Sequence, residues 1–368
     1  MKRPWLAPAA SKPAPYRFFI NGPVDFLCLG GLSLIVFGAL GLIERRYGVQ
    51  NAWIGHAATL SWLCNWPHFA ATNYRLYHSR TNIAQYPLTA LLLPLLLLGA
   101  TLASFASPLL VAPLFVKVFL IWSPYHYSGQ SVGISLIYAK RAGFVFGRIE
   151  RAALAGFIFG TFILQTALGE VGTQIRPFYG INPPSLGLPQ LIADVMRALM
   201  WGSGGIFLAC VARWSLKNRR WMPVMIFLPA TAQFVWFVLG WRVQTFYNFV
   251  PFFHGLQYLL IAWAMQLKET MDEHHIAPSS RYVVAETLRW TVGIFIGGGI
   301  LFWVLPRVGT WWGFDLQIAE PIIISAVQIH HFFVDGVIWK LRNPKVGSPL
   351  LINLDQLRLA RTVRLQPV

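Results

Sequence analysis

Apolar runs of about 20 residues recur along the whole of this 368-residue chain, and few folds can accommodate them. Hydropathy places about ten of them, near 24–43, 52–74, 85–104, 110–138, 151–168, 189–212, 222–240, 247–267, 287–306 and 317–340. Such a run crosses the ~30 Å hydrocarbon core as an α-helix, which satisfies its own backbone in lipid. The expected fold is therefore all-α: a polytopic membrane helix bundle forming one integral membrane domain over 1–368. Composition agrees, with 12% charged residues and 56% hydrophobic, where soluble domains carry roughly 25% charge. A basic N-terminal segment, 1–16, and a basic tail, 341–368, flank the bundle. Within the tail, 357–364 alternates Leu and Arg. It reads either as an amphipathic surface segment or as a plain basic tail.

The basic residues set the orientation. With ten spans both termini share a side, and that side carries 23 Lys and Arg against five on the other: Arg45, Arg46, Arg176, Arg242 and Arg307. The positive-inside rule then puts both termini in the cytoplasm and loop 169–188 outside. The expected setting is a bacterial inner membrane. The net charge of +17 becomes an inner rim facing anionic lipid. It is spread over every inner loop and not gathered on one module, which argues against nucleic-acid binding. The basic start lacks a clean small-residue cleavage site, so the first run is expected to remain as a span. Cys28, Cys64 and Cys210 fall in spans without paired spacing, which argues against disulfides and thiolate zinc.

Against this apolar background the histidines stand out. His68, His126, His254 and the pair His330-His331 lie in or at the rim of four different runs. Imidazoles in hydrocarbon face a bundle interior, a partner or a metal. Three of them follow a proline closely: Pro67-His68, Pro124-Tyr125-His126 and Pro251-Phe252-Phe253-His254. Proline removes a backbone hydrogen bond. His68 therefore has two readings, a ligand aimed into the bundle or a donor to the freed carbonyl. Gln130 is four residues past His126, and Gln257 three past His254, each on the same helix face as its histidine. Asp335 is four past His331 and five past His330, and suits the former as an orienting carboxylate. Neighbours on a helix diverge by about 100°, so one of His330 and His331 is the ligand. His56, His78, His274 and His275 read as interfacial or solvated. Asp25 reads as a helix cap or a partner of the site.

One difficulty is depth. Counted from the outer ends of their runs, His68, His126 and His330 fall past the middle and His254 falls earlier. The mismatch is about 9–14 Å at ~1.5 Å per residue. A single ion reaches all four only if the eighth run starts earlier or is displaced along the membrane normal.

An all-imidazole site suits iron, copper or zinc and does not suit magnesium or calcium. There is no His-Glu-x-x-His motif and no Walker glycine loop. The histidine boxes of membrane desaturases are missing too, because Val327 and Thr72 stand where histidines are needed. Aromatic residues crowd the same stretches, among them Trp66, Phe69, Tyr127, Tyr258 and Phe332. As a set they can wall a pocket for a flat or long apolar molecule.

Single histidines on separate spans, together with the Pro67-His68 pairing, resemble the Brp/Blh-type carotene dioxygenases. That resemblance implies a multi-span protein holding one iron through four histidines: His68, His126, His254 and either His330 or His331. The expected function is an integral membrane oxygenase with non-haem iron, acting on a lipid or isoprenoid with an electron donor. Gln130, Gln257 and Asp335 would orient or tune the ligands. Copper and zinc are the other metals the site admits. The alternatives are a transporter with a proton or ion path and a bis-histidine haem protein.

Overall fold

The computed structural model describes residues 18–49, 51–173, 177–276 and 279–339. The basic start 1–16 and the tail 341–368, with its Leu–Arg stretch, lie outside the described residues. Among the described residues the chain is helical with no strand. Two isolated bridges, Val171 with Leu188 and Phe178 with Ile181, fold the 169–188 segment back on itself.

The long helices are α1 (Gly22–Tyr47), α2 (Asn51–Tyr77), α3 (Leu88–Ala106), α4 (Val111–Arg141), α5 (Arg148–Gly169) and α6 (Gln190–Asn218). After the short α7 (Leu228–Phe234) come α8 (Val250–Glu273), α9 (Arg281–Trp311) and α10 (Leu316–Ile338). Each expected apolar run is helical over at least part of its length. Six helices, α1, α3, α5, α6, α9 and α10, are long and apolar enough to cross a membrane. This is an integral membrane protein. Helices α2, α4 and α8 have the length, at 27, 31 and 24 residues. Their mid-helix Asn, Gln, Ser and His residues lower their hydropathy. These are the helices that carry His68, His126 and His254.

The seventh run departs from expectation. Pro223 and Pro229 both lack the N–H a helix interior needs. The chain makes a 3₁₀ turn at Val224–Ile226, and α7 begins with Pro229 in its first turn. A π-helical turn, Val235–Leu239, and a 3₁₀ turn, Gly240–Arg242, follow. The helical stretch 228–239 is under about 20 Å long, short of the ~30 Å core.

The next ten residues resolve the depth problem. Gly240, Thr245, Phe246 and Phe249 are buried. The Glu44 carboxylate accepts from the backbone N–H groups of Gln244 (3.1 Å) and Thr245 (2.6 Å). Irregular backbone within a membrane protein is tolerated where protein covers it. Helix α8 therefore starts among buried residues, with Pro251 in its first turn, where a missing N–H costs nothing. His254, only the fifth residue of α8, comes level with His126, the sixteenth of α4.

Close helix approach then fixes α2. A Cβ on Gly255 of α8 would lie 2.8 Å from the Cys64 carbonyl oxygen. A Cβ on Gly298 of α9 would lie 2.8 Å from the Trp66 carbonyl carbon. Only glycine lets both helices press on the turn that presents His68. In α1 a π-helical turn, Leu27–Gly31, places Gly30 at φ 156° against α7. The distorted turn leaves the Leu29 carbonyl oxygen to accept from Gln257 Nε2 at 2.5 Å.

Candidate metal centre

Helices α2, α4, α8 and α10 each bring one histidine to a common point. His68 and His331 are 0% exposed, His254 1% and His126 7%. His126 Nε2 stands 3.0 Å from His254 Nε2 and 3.1 Å from His331 Nε2. A ring nitrogen carries at most one proton, so His126 Nε2 cannot donate to both neighbours. A shared cation accounts for the cluster better. Two ligands ~2.1 Å from one ion stand about 3.0 Å apart at 90° and about 3.4 Å apart at the tetrahedral angle.

His68 completes the group. Its ring centroid lies 4.4 Å from that of His331, 5.0 Å from His254 and 6.0 Å from His126. Neither of its nitrogens has a hydrogen-bond partner. The carbonyl freed by Pro67 therefore does not hold the ring. A fully buried imidazole with both nitrogens unpaired is costly, and a metal would offset that cost.

Asp335 is the fifth member. Its Oδ2 is 3.4 Å from His331 Nε2 and 3.9 Å from His126 Nδ1. One ligand atom from each of His68, His126, His331 and Asp335 can be chosen so that all lie within 4.8 Å of one another. Thr72 Oγ1 (3.1 Å), Tyr258 OH (3.3 Å) and Trp339 Nε1 (3.1 Å) all stand within reach of Oδ1. The Thr72 and Tyr258 hydroxyls are themselves 2.5 Å apart. One hydroxyl proton lies between Thr72 and Tyr258, so Oδ1 takes the other together with the Trp339 N–H; these two donors fix the carboxylate and leave the other oxygen toward the imidazoles. Asp335 thus stands close enough to be a ligand itself, beyond the orienting role read from the sequence.

Several expected members sit differently. His330 is turned away from the centre, and its Nε2 pairs with Tyr77 OH at 3.0 Å. The 100° step from His331 carries it there. Gln130 does not touch an imidazole. Its Nε2 donates to the backbone oxygen of His254 (3.0 Å) and to Gln257 Oε1 (3.2 Å). Gln257 in turn holds Leu29. Both amides tie helices together around the site. His56 is exposed beside Trp53, and His78 Nδ1 pairs with the backbone oxygens of Tyr74 and Arg75. His274 and His275 are exposed at the end of α8. Asp25 neither caps a helix nor joins the site: it accepts from the N–H groups of Phe19 and Ile20 and from Tyr138 OH.

Aromatic rings enclose the group. Tyr127 stacks on His254 at 3.9 Å, Phe332 on His126 at 4.7 Å, and Phe69 lies 4.4 Å from His331. Sequence reasoning gave Thr72 and Trp339 no part in the site. The available signal was spacing, since each lies four residues past a site residue, His68 and Asp335. Beside His126 and Asp335 opens a cavity of about 260 Å³ between α4, α8 and α10. Comparisons of the chain with protein-family models, curated proteins and solved structures give no match.

Proposed function

We propose that this chain is a membrane metalloenzyme in which His68, His126, His254 and His331, with Asp335, hold one iron ion for oxygen chemistry on a lipid or isoprenoid. The observation that carries this reading is the convergence of four buried imidazoles from four helices, with Nε2 separations of 3.0 and 3.1 Å. A cluster of buried imidazoles suits a transition metal such as iron, and the adjacent Asp335 carboxylate offsets its charge. Iron in such a set supplies activation of dioxygen. The protein supplies the rest. Asp335, held by Thr72, Tyr258 and Trp339, orients the imidazoles and balances charge. Phe69, Tyr127 and Phe332 keep water from the ligands. The cavity beside His126 admits an apolar chain to the centre.

The likeness to Brp/Blh-type carotene dioxygenases belongs to this reading, as do cytoplasmic termini, a bacterial inner membrane and about ten apolar segments, the seventh of which stops short of the full core. An electron donor is required if the reaction is a monooxygenation. A bis-histidine haem fits the donors poorly, because imidazole nitrogens 3.0 Å apart leave no room for a porphyrin between them.

Elemental analysis of protein purified without chelators tests the proposal. The expected result is about one iron per chain, because the ligands form a single cluster. A chain free of transition metal overturns it and favours a proton or ion pathway. A Soret band overturns it in favour of haem.

A further inference from the structure

The cavity beside the centre is a slot. On α4 its lining runs from Tyr125 through Gly129 and Gly133 to Ile137, every fourth residue along one helix face. Those turns cover about 18 Å of helix. A volume of about 260 Å³ spread over that length leaves a mean cross-section of about 14 Å². That is the width of one methylene chain, so of flat and long molecules the slot suits the long. A Cβ on Gly129, Gly133 or Gly336 would meet nothing within 4 Å. The gap between α4 and α10 is therefore open because these three positions carry no side chain. Tyr125 and Gly129 of α4 and Gly336 of α10 are exposed, so the slot opens sideways, toward the lipid around the two helices.

Its two ends differ. At one stand His126, Tyr258 and Asp335, and the Asp335 side chain keeps 10% of its surface accessible. At the other the wall is Ile134, Ile137 and Ile261. Just past that apolar end α4 stops, at Arg141, with Lys140 exposed in its last turn. Lys140 is fourteen residues from His126, close to four whole turns, so the two lie on one side of the helix. Its ammonium has no partner among the described residues.

We infer that the slot takes the single unbranched chain of a long-chain fatty acid, with the carboxylate at Lys140 and the terminal carbons beside His126 and Asp335. The inference rests on the function proposed above for what the centre then does, and on the slot and Lys140 alone for binding. Fourteen residues of helix rise about 21 Å. An extended chain advances about 1.2 Å per bond, as the extended backbone does, so an acid of about 16 carbons spans the two ends. Chemistry at the centre would then fall near the far end of the chain and leave the acid group untouched.

The test is photolabelling of the full chain in nanodiscs by hexadecanoic acid with a diazirine next to its terminal methyl, adducts being located by mass spectrometry. Adducts are expected on Asp335 and Tyr258. The methyl ester should mark both about threefold less, the worth of one exposed ion pair, and Lys140→Gln should erase that difference. Octanoic acid with the same label cannot reach from Lys140 and should leave Asp335 unmarked, and a methyl-branched acid of full length should mark it weakly. Gly133→Leu, which fills the slot without clashing at Cβ, should abolish the adducts and retain the metal. This second variant keeps the test decisive if Lys140→Gln fails to fold. Equal marking by acid and ester overturns the inference, as does an acid advantage that survives Lys140→Gln. Marking of Asp335 by the short or the branched acid as strong as by hexadecanoic acid also overturns it. Metal content of the same samples separates the two readings. Metal without the adducts sinks this inference alone, and the adducts without metal sink the oxygenase alone.

Discussion

His330 and His331 are neighbours in the chain and sit in different surroundings: His331 is fully buried 3.1 Å from His126 Nε2, and His330 leans on Tyr77 OH at 3.0 Å. The pair is an internal control. His331→Ala should remove most bound metal from a protein that still inserts. His330→Ala should keep its metal and lose only the Tyr77 contact. Metal-to-protein ratios on the two variants, with His56→Ala as a distant third, check this. Equal ratios for His330→Ala and His331→Ala would refute a shared centre.

The four histidines should be equivalent in kind. His68→Ala, His126→Ala and His254→Ala are each expected to lose metal as His331→Ala does. Asp335→Asn should be milder, with roughly 10–100-fold weaker metal affinity if the carboxylate orients the imidazoles. Chelator competition measures both. A loss in Asp335→Asn as complete as that in His68→Ala would mark Asp335 as a ligand.

Backbone contact on α2 gives a third prediction. Gly298→Val puts side-chain carbon against the Trp66 carbonyl and should destabilise the fold by about 1–3 kcal/mol while weakening metal binding. Gly299→Ala, whose Cβ meets nothing within 4 Å, should do neither. Thermal unfolding with metal content distinguishes them. Identical behaviour of the two would show that the close approach does not set His68.

Gln257 should matter for the fold and not for the metal. Its Nε2 serves the Leu29 carbonyl at the distorted turn of α1. Gln257→Leu removes that buried hydrogen bond, at a cost of about 0.5–1.5 kcal/mol. Lower thermal stability with unchanged metal stoichiometry is the expected outcome. Selective metal loss at normal stability would place Gln257 among the ligands.

Topology is decided by reporters. With both termini cytoplasmic, fusions at Val368 and near Ile181 should report opposite sides of the membrane. A same-side result would remove the ten-span arrangement and leave the metal centre untouched.

How far the sequence could be read follows from what a one-dimensional pattern contains. Hydropathy and length place the helices, because lipid demands both. Helical spacing relates Asp335 to His331, because four residues make nearly one turn. Spacing does not fix the rotation of a helix, so His330 and His331 stayed equivalent until α10 was packed against α4. Nor does it fix depth. The seventh and eighth runs look like ordinary spans, yet Pro223 and Pro229 shorten one, and the half-buried irregular stretch 240–249 delays the start of the other. The start of an apolar run does not mark the depth at which its helix begins, so His254 lies deeper than its place in the run suggests. The amides of Gln130 and Gln257 were assigned to imidazoles because they share a face with them. Their partners are carbonyls on other helices, and no single-helix pattern contains those.

The wide separation of the ligands along the chain bears on how the centre is made. His126 meets His254 across 128 residues and His331 across 205, and Thr72 meets Asp335 across 263. No two of these histidines share a helix, so a ribosome must finish α10 before the cluster exists. Contacts this remote form late, after the loops between them have closed. An ion held by this cluster would then be the last part installed. Once in place it would cross-link the first third of the chain to its end, and by mass action it would stabilise the finished bundle over every unassembled one.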